Sequence, residues 1–435
     1  MSHWYPNEFA AHICRQLKIE VPERPRENCP GCAILAELLS TCYQASLMRE
    51  EERPVRFRLI FRDPERFPLG QDPPDGLHRL VFTEPRPCSE DELRRLSPAA
   101  SFNRSMVGVN LDDTGVPQIW GIVHSGPRWL QEVHGGTQQI NPIPDSLIIF
   151  VTGPGRISVS VGSTMIAGLR GGQIICAARE VFAANWLREF FAVHRDELWA
   201  MHQEARQQFG DSWAPIDPAF PVILGQNLLR RVISLVRNYR HGGTLLVVPT
   251  ERTEELKGPN PYLNIKYLFR VDDGRRRIHP HIAGIMNEFA RVASGSWRET
   301  RPLGWSEYLA ISDPTLTKMD ETLFEMAHFV AELTLVDGAV VLNQRLEVLG
   351  FGAEISGGLE NVPCLQKALD IEGVSRQPES GKRMGTRHRS AYRLCNALHD
   401  ALAIVVSQDG QVRFIRWHDG AVTCWDQVAT SILDF

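Results

Sequence analysis

No apolar run in this chain approaches the roughly 20 residues that a membrane-spanning helix needs. The opening residues, Met1-Ser2-His3-Trp4-Tyr5, lack the charged-then-apolar order of a secretory leader. A cytoplasmic protein is therefore expected, with no membrane partner. Strong charge of one sign is also missing, since 47 Lys and Arg face 52 Asp and Glu for a formal net charge of -5. Bulk electrostatics thus argue against a nucleic-acid binder. Neither an internal repeat nor a low-complexity tract is present. Cysteine is sparse, with nine residues at irregular spacing. An odd number without a framework pattern predicts reduced thiols, most of them small core residues. The one close pair, Cys29-Pro30-Gly31-Cys32, has the spacing of a redox pair or half a zinc site at a helix start. No second CxxC and no nearby His pair completes a metal shell, so a structural role is the expectation.

At 435 residues the chain is long enough for two or three domains, each with its own core. Phe9, Ile13 and Leu17, then Ile34, Leu35, Leu38 and Leu39, recur at helical spacing over the first 45 or so residues. The charged run Arg49-Glu50-Glu51-Glu52-Arg53 precedes an alternating segment, Val55 to Phe61, that reads as a strand with one buried face. Strand and turn signals dominate from about 78 to 176, including Ile119-Trp120-Gly121-Ile122-Val123, Leu147 to Val151 and Ile157 to Val161. Helices are expected over about 178–208, 224–239, 281–293 and 320–331, and strands at Leu245 to Val248, Ala339 to Leu342, Val348-Leu349 and Ala403 to Val406. A polar stretch with the run Arg275-Arg276-Arg277 falls between helices, and a linker is expected between Ser294 and Thr317.

Two glycine-rich segments, Gly153-Pro154-Gly155-Arg156 and Leu169-Arg170-Gly171-Gly172, lack the lysine of a P-loop and the spacing of a Rossmann turn. Hairpin turns explain them better. His279-Pro280-His281 reads as surface structure. Two C-terminal motifs are more informative. Asp337-Gly338-Ala339 offers a carboxylate at the end of an apolar segment, then a residue without a side chain, which suits a metal and a closely approaching nucleotide. Gly385-Thr386-Arg387-His388-Arg389 concentrates phosphate-binding groups, two arginines capable of forked hydrogen bonds beside backbone and hydroxyl donors.

The order and separation of these motifs, with the strand that follows and its end at Ser407-Gln408-Asp409, resemble the diadenylate cyclase domain over roughly residues 318–430. The resemblance implies an α/β (α+β) fold in which a C-terminal mixed β-sheet flanked by helices, 318–435, follows a larger α+β sensor region, 1–310, divisible near 178–215. It implies catalytic roles for Asp337, Gly338, Ala339, Arg387, His388 and Arg389, and nucleotide binding by Gly350, Phe351, Gly352, Gly385, Thr386 and Ser407. Asp337 and Asp409 would hold a divalent metal, Mg²⁺ or Mn²⁺. ATP would be the substrate and cyclic di-AMP the product. Because that product is two-fold symmetric, a homodimer or higher oligomer with facing cyclase domains is implied.

The chain departs from the family twice. It has Cys395-Asn396 in place of a Ser-Glu pair, and Gln408-Asp409 where the family has two glutamates. A nucleotide-binding sensor or effector without turnover is therefore the second reading. Upstream, Arg53 to Phe57, Ile119 to Ile122 and Ile166 to Gly172 look like the sensor region called DACNV, which implies an unidentified small-molecule or protein signal.

Overall fold

The structure, a computed structural model, describes residues 3–20, 29–67, 77–102, 104–124, 145–162, 164–176, 181–209, 213–270, 278–295, 301–381, 384–426 and 428. The Arg275 to Arg277 run lies outside them. The chain is an α+β protein divided into two compact units, which among the described residues run from 3 to 176 and from 181 to 428. No helix among these residues is long and apolar enough to cross a membrane.

The first unit opens with α1 (Pro6–Glu20) and α2 (Cys32–Leu47), whose apolar stripes are the ones their sequence periodicity predicts. A small hairpin, β1 (Arg49–Glu50) and β2 (Arg53–Pro54), leads into β3 (Phe57–Phe61), β4 (His78–Pro87), α3 (Glu90–Leu96), β5 (Ser105–Leu111) and β6 (Pro117–His124). Then come β7 (Leu147–Gly153), β8 (Arg156–Val161), β9 (Thr164–Arg170) and β10 (Gln173–Cys176). They form one sheet in the order β10-β9-β8-β7-β3-β5-β6-β4, antiparallel except for the β3–β5 pair. The two glycine-rich segments are hairpin turns, as expected. Gly171 and Gly172 both take positive φ, +55° and +71°, between paired Arg170 and Gln173, as a two-residue turn requires.

One sheet face packs on α1, α2 and α3. The other holds a smaller cluster around Trp120, whose indole lies across Gly108, where a Cβ would come within 2.3 Å of the ring, and donates from Nε1 to Arg62 O at 2.8 Å. β3 departs from one-faced burial because both sheet faces are covered, so all five of its residues are buried, Arg58 included. The cysteine expectation holds for Cys42, Cys395 and Cys424, which are free and buried, and fails for one pair. Cys14 of α1 is bonded to Cys32 of α2, with Cα atoms 6.1 Å apart and a sequence separation of 18. Two helices packed side by side bring these thiols together across the chain, a pairing that local spacing does not reveal. A loop of this size stabilises by about 3 kcal/mol through the unfolded state.

The second unit contains α4 (Asn185–Phe190), α5 (Ala192–Phe209), α6 (Phe220–Asn238), β11 (Gly243–Val248), α7 (Thr253–Lys257), β12 (Leu263–Leu268), α8 (Ile278–Ala293), α9 (Trp305–Ala310) and α10 (Pro314–Leu333). It continues with β13 (Ala339–Asn343), β14 (Val348–Ile355), β15 (Cys364–Ala368), β16 (Arg376–Ser380), α11 (Thr386–Ala397), β17 (Leu402–Val406), β18 (Val412–His418) and β19 (Ala421–Trp425). Nine strands make one mixed sheet in the order β12-β14-β13-β11-β17-β18-β19-β15-β16. Alternation divides them between two cores. Leu245, Val247, Val340, Leu342 and Ile404 face the layer of α4, α5, α6, α8, α9 and α10, while Leu246, Val248, Val341, Ala403 and Val405 face α11.

The boundary expected between 310 and 318 falls inside this unit, because β11 and β12 belong to the same sheet as β13 to β19. The division observed lies instead at the start of the 178–215 stretch, where the 1–310 region is expected to split into two subdomains. The expected linker is not one along residues 301–317. Trp305 and Tyr308 of α9 stack on each other at 5.2 Å and pack on Phe220, and Tyr308 also meets Phe289 edge-on. His279 is buried in the first turn of α8 rather than lying on the surface.

Candidate functional site

Strand direction gathers the C-terminal motifs. β11 and β13 run parallel, with Leu245 beside Val340, whereas β17 runs against β11, with Val406 beside Gly243. The starts of β11 and β13 and the end of β17 therefore share one edge of the sheet. Asp337 precedes β13 there, His241-Gly242 precedes β11, and Ser407-Gln408-Asp409 follows β17. α11 joins the same edge through its first turn, where Arg387 Nη1 donates to His241 O at 3.1 Å.

Gly338 shows why this position tolerates no side chain. Its φ is +115°, and a Cβ would stand 2.6 Å from the carbonyl carbon of Gly352. The Asp337-Gly338-Ala339 and Gly350-Phe351-Gly352 segments thus meet backbone to backbone. Asp337 itself is exposed, and its charge helps keep Lys266 protonated, behind the larger effect of the 2.7 Å Lys266–Glu354 pair. Phe351 of β14 stacks on Tyr267 of β12 at 4.7 Å, and Tyr267 remains 52% exposed. Ala339 is buried in the sheet. Gly350 lies against β12, where a Cβ would meet Tyr267 O at 2.3 Å, so its lack of a side chain serves strand packing.

The Gly385 to Arg389 motif divides by helix geometry. Gly385 caps α11, leaving the Thr386, Arg387 and His388 amides as first-turn donors without acceptors inside the helix. Thr386 and Arg389 are exposed, Arg387 is half-buried and bound to His241, and His388 turns inward. Among the described residues, the buried Nε2 of His388 has no hydrogen-bond partner. Burial, then the neighbouring Arg413 and Arg387, lower the His388 pKa to about 4 against the opposing pull of Asp409. His388 is a neutral imidazole near pH 7. The positive charge here belongs to the arginines.

Asp409 occupies the β17–β18 hairpin turn, in which Gly410 has φ +81°. Its carboxylate accepts from Ser407 Oγ and from Gln411 Nε2, the latter at 2.9 Å. Among the described residues, no group of three or more His, Cys, Asp or Glu could hold a metal ion. Asp337 and Asp409 contribute two carboxylates to this edge, the hard oxygen donors that Mg²⁺ and Mn²⁺ take. Of the two substituted pairs, Gln408-Asp409 lies at this edge and Cys395-Asn396 lies in the last turn of α11. Cys395 is buried with Sγ 3.3 Å from Ile415 O, and Asp400 pairs with Arg252 at 2.5 Å.

Sequence reasoning did not find His241, Gly242 or Arg413. Gly242, at φ +71°, lies so close to Val406 O that a Cβ would be 2.7 Å away and 3.1 Å from Arg387 Nη1. Arg413 is 9% exposed and donates to Tyr392 Oη at 3.3 Å behind His388. An arginine at an inward position of the strand Val412 to His418 was the available signal.

A family described as a probable sensor domain, DACNV, matches residues 24–124, a span that takes in α2 to β6 of the first unit. That family is found in diadenylate cyclase proteins. No curated protein matches the chain.

Proposed function

We propose that the second unit is a diadenylate cyclase that joins two ATP molecules into cyclic di-AMP with release of two pyrophosphates, under control of the DACNV-containing first unit. The observation that carries this reading is the shared sheet edge, where an exposed carboxylate, the amide-rich start of α11, an arginine pair and a second carboxylate converge. In-line phosphoryl transfer asks mainly for positioning and charge neutralisation. The α11 amides with Arg387 and Arg389 would bind the triphosphate, and Gly338 and Gly352 leave room for close approach of the nucleoside. Tyr267 offers a face for the base. A divalent cation held by Asp337 and Asp409 would polarise phosphate oxygens and lower the pKa of the ribose hydroxyl.

Asp337 would orient the 3′-hydroxyl towards the α-phosphate of the second ATP. Neutral His388 suits hydrogen bonding to phosphate better than carrying charge. With one candidate site per chain and a two-fold product, two chains must face each other for turnover. Asp337→Asn tests the assignment. Cyclic dinucleotide formation, resolved by mass, should fall to background while the melting temperature stays unchanged, and surviving turnover would remove Asp337 from the mechanism. The turn contacts that already engage Asp409 favour the second reading, a sensor that binds nucleotide without turnover. Tight ATP binding by the wild-type chain without product would support it.

A further inference from the structure

Cys32, half of the close pair that the sequence marks with Cys29, bonds instead to Cys14 of α1. This bond is a single link and not part of a framework, since Cys42, Cys88, Cys364, Cys395 and Cys424 remain thiols. Its two sulfurs sit in different surroundings. Cys14 is half-buried and packs against the core of the first unit, whereas Cys32 is exposed at the first position of α2. Gly31 caps that 16-residue helix with no side-chain hydrogen bond, and the first turn carries no acidic residue. The positive end of the helix therefore acts on Cys32 with no carboxylate in that turn to oppose it, which stabilises a thiolate. Cys32 is thus open to attack in the disulfide, and a good leaving group once joined to another thiol.

The bond also secures α1. That helix is held to its unit by Phe9, Ala10 and Ile13, each at most 2% exposed, and by the Trp4 amide before it, which donates to Gly172 O at 2.8 Å. Among the described residues, the disulfide is the one cross-link between α1 and α2. Opening it leaves α1 held by packing and that backbone bond, so the helix separates from its neighbours more often.

We propose that Cys14–Cys32 is a redox-active disulfide, reduced by low-molecular-weight thiols and re-formed by their disulfides, and that its opening loosens α1. One small thiolate attacks Cys32 Sγ to form a mixed disulfide, and Cys14 leaves as a thiolate that takes up a proton. A second attacks the small-molecule sulfur of that mixed disulfide and expels Cys32 as a thiolate. Two electrons pass to the protein, the two small thiols end joined as a disulfide, and, with Cys32 unprotonated, one of their two protons goes to solvent. Treating the oxidised full chain at neutral pH with reduced glutathione, then with oxidised glutathione, tests the proposal, with thiols trapped by maleimide and located by peptide mass. Cys14 and Cys32 should both gain label in the native chain and lose it again on oxidation. The pH profile of iodoacetamide labelling should place Cys32 of the reduced chain below the ordinary thiol value of about 8.5. Hydrogen exchange across α1 should rise about tenfold or more on reduction, and Cys14→Ser should show the same rise without reductant. A bond that opens only in urea, a bond to Cys29 in its place, a Cys32 profile at or above the ordinary value, or α1 exchange unchanged by reduction would each overturn the proposal.

Discussion

Asp337 and Gly338 are neighbours with opposite expectations. Gly338→Ala would put a Cβ 2.6 Å from Gly352 at a φ of +115° and should destabilise the chain by about 1–3 kcal/mol in urea unfolding. Exposed Asp337→Asn should leave stability unchanged within about 0.5 kcal/mol. The sequence marks Arg387-His388-Arg389 as one basic cluster, but about 100° of helix rotation per residue separates its members. His388 enters the protein and loses its charge, while Arg389 stays in solvent. Arg413 stands at an inward position of its own strand, but its place behind His388 depends on Tyr392 from another element.

The buried imidazoles also carry a pH dependence. His388 and His194 titrate at about 4 and about 3 in the folded chain, below their usual 6.5. The unfolded chain therefore binds more protons between those values and 6.5, so stability is full above pH 6.5 and falls as pH drops through this window. Melting temperature measured against pH should show that decline, and His388→Asn should reduce the part between pH 6.5 and 4.

At the scale of elements, β11 decides what can stand alone. It pairs with β13 on one side and β17 on the other, with both faces buried. A fragment of residues 318–435 would lose the strand that joins the halves of its sheet and should be insoluble or unfolded by circular dichroism. Residues 181–435 retain all nine strands and should fold. The apolar run Leu245 to Val248 reads plainly as a buried strand, but sequence order does not say which sheet takes it. Parallel pairing with β13 spans nearly a hundred residues, and nothing local records it. For the same reason the stretch before α10 reads as a linker, although Trp305 and Tyr308 find Phe220 and Phe289 only after folding. Helix periodicity and strand alternation were legible because they are local.

On the scale of the whole molecule, a unit carrying a DACNV match precedes a unit whose sheet gathers Asp337, the start of α11 and Asp409 at one end of its strands. Control of the second by the first would require the signal bound upstream to favour one arrangement of paired chains over another. The central claim is chemical, and the fate of ATP is its most direct test. The full chain is incubated with ATP and Mg²⁺ or Mn²⁺, and nucleotides are resolved by mass. Cyclic di-AMP, with two pyrophosphates released per molecule formed, is the expected result. ATP bound tightly yet recovered unchanged with either metal would contradict it.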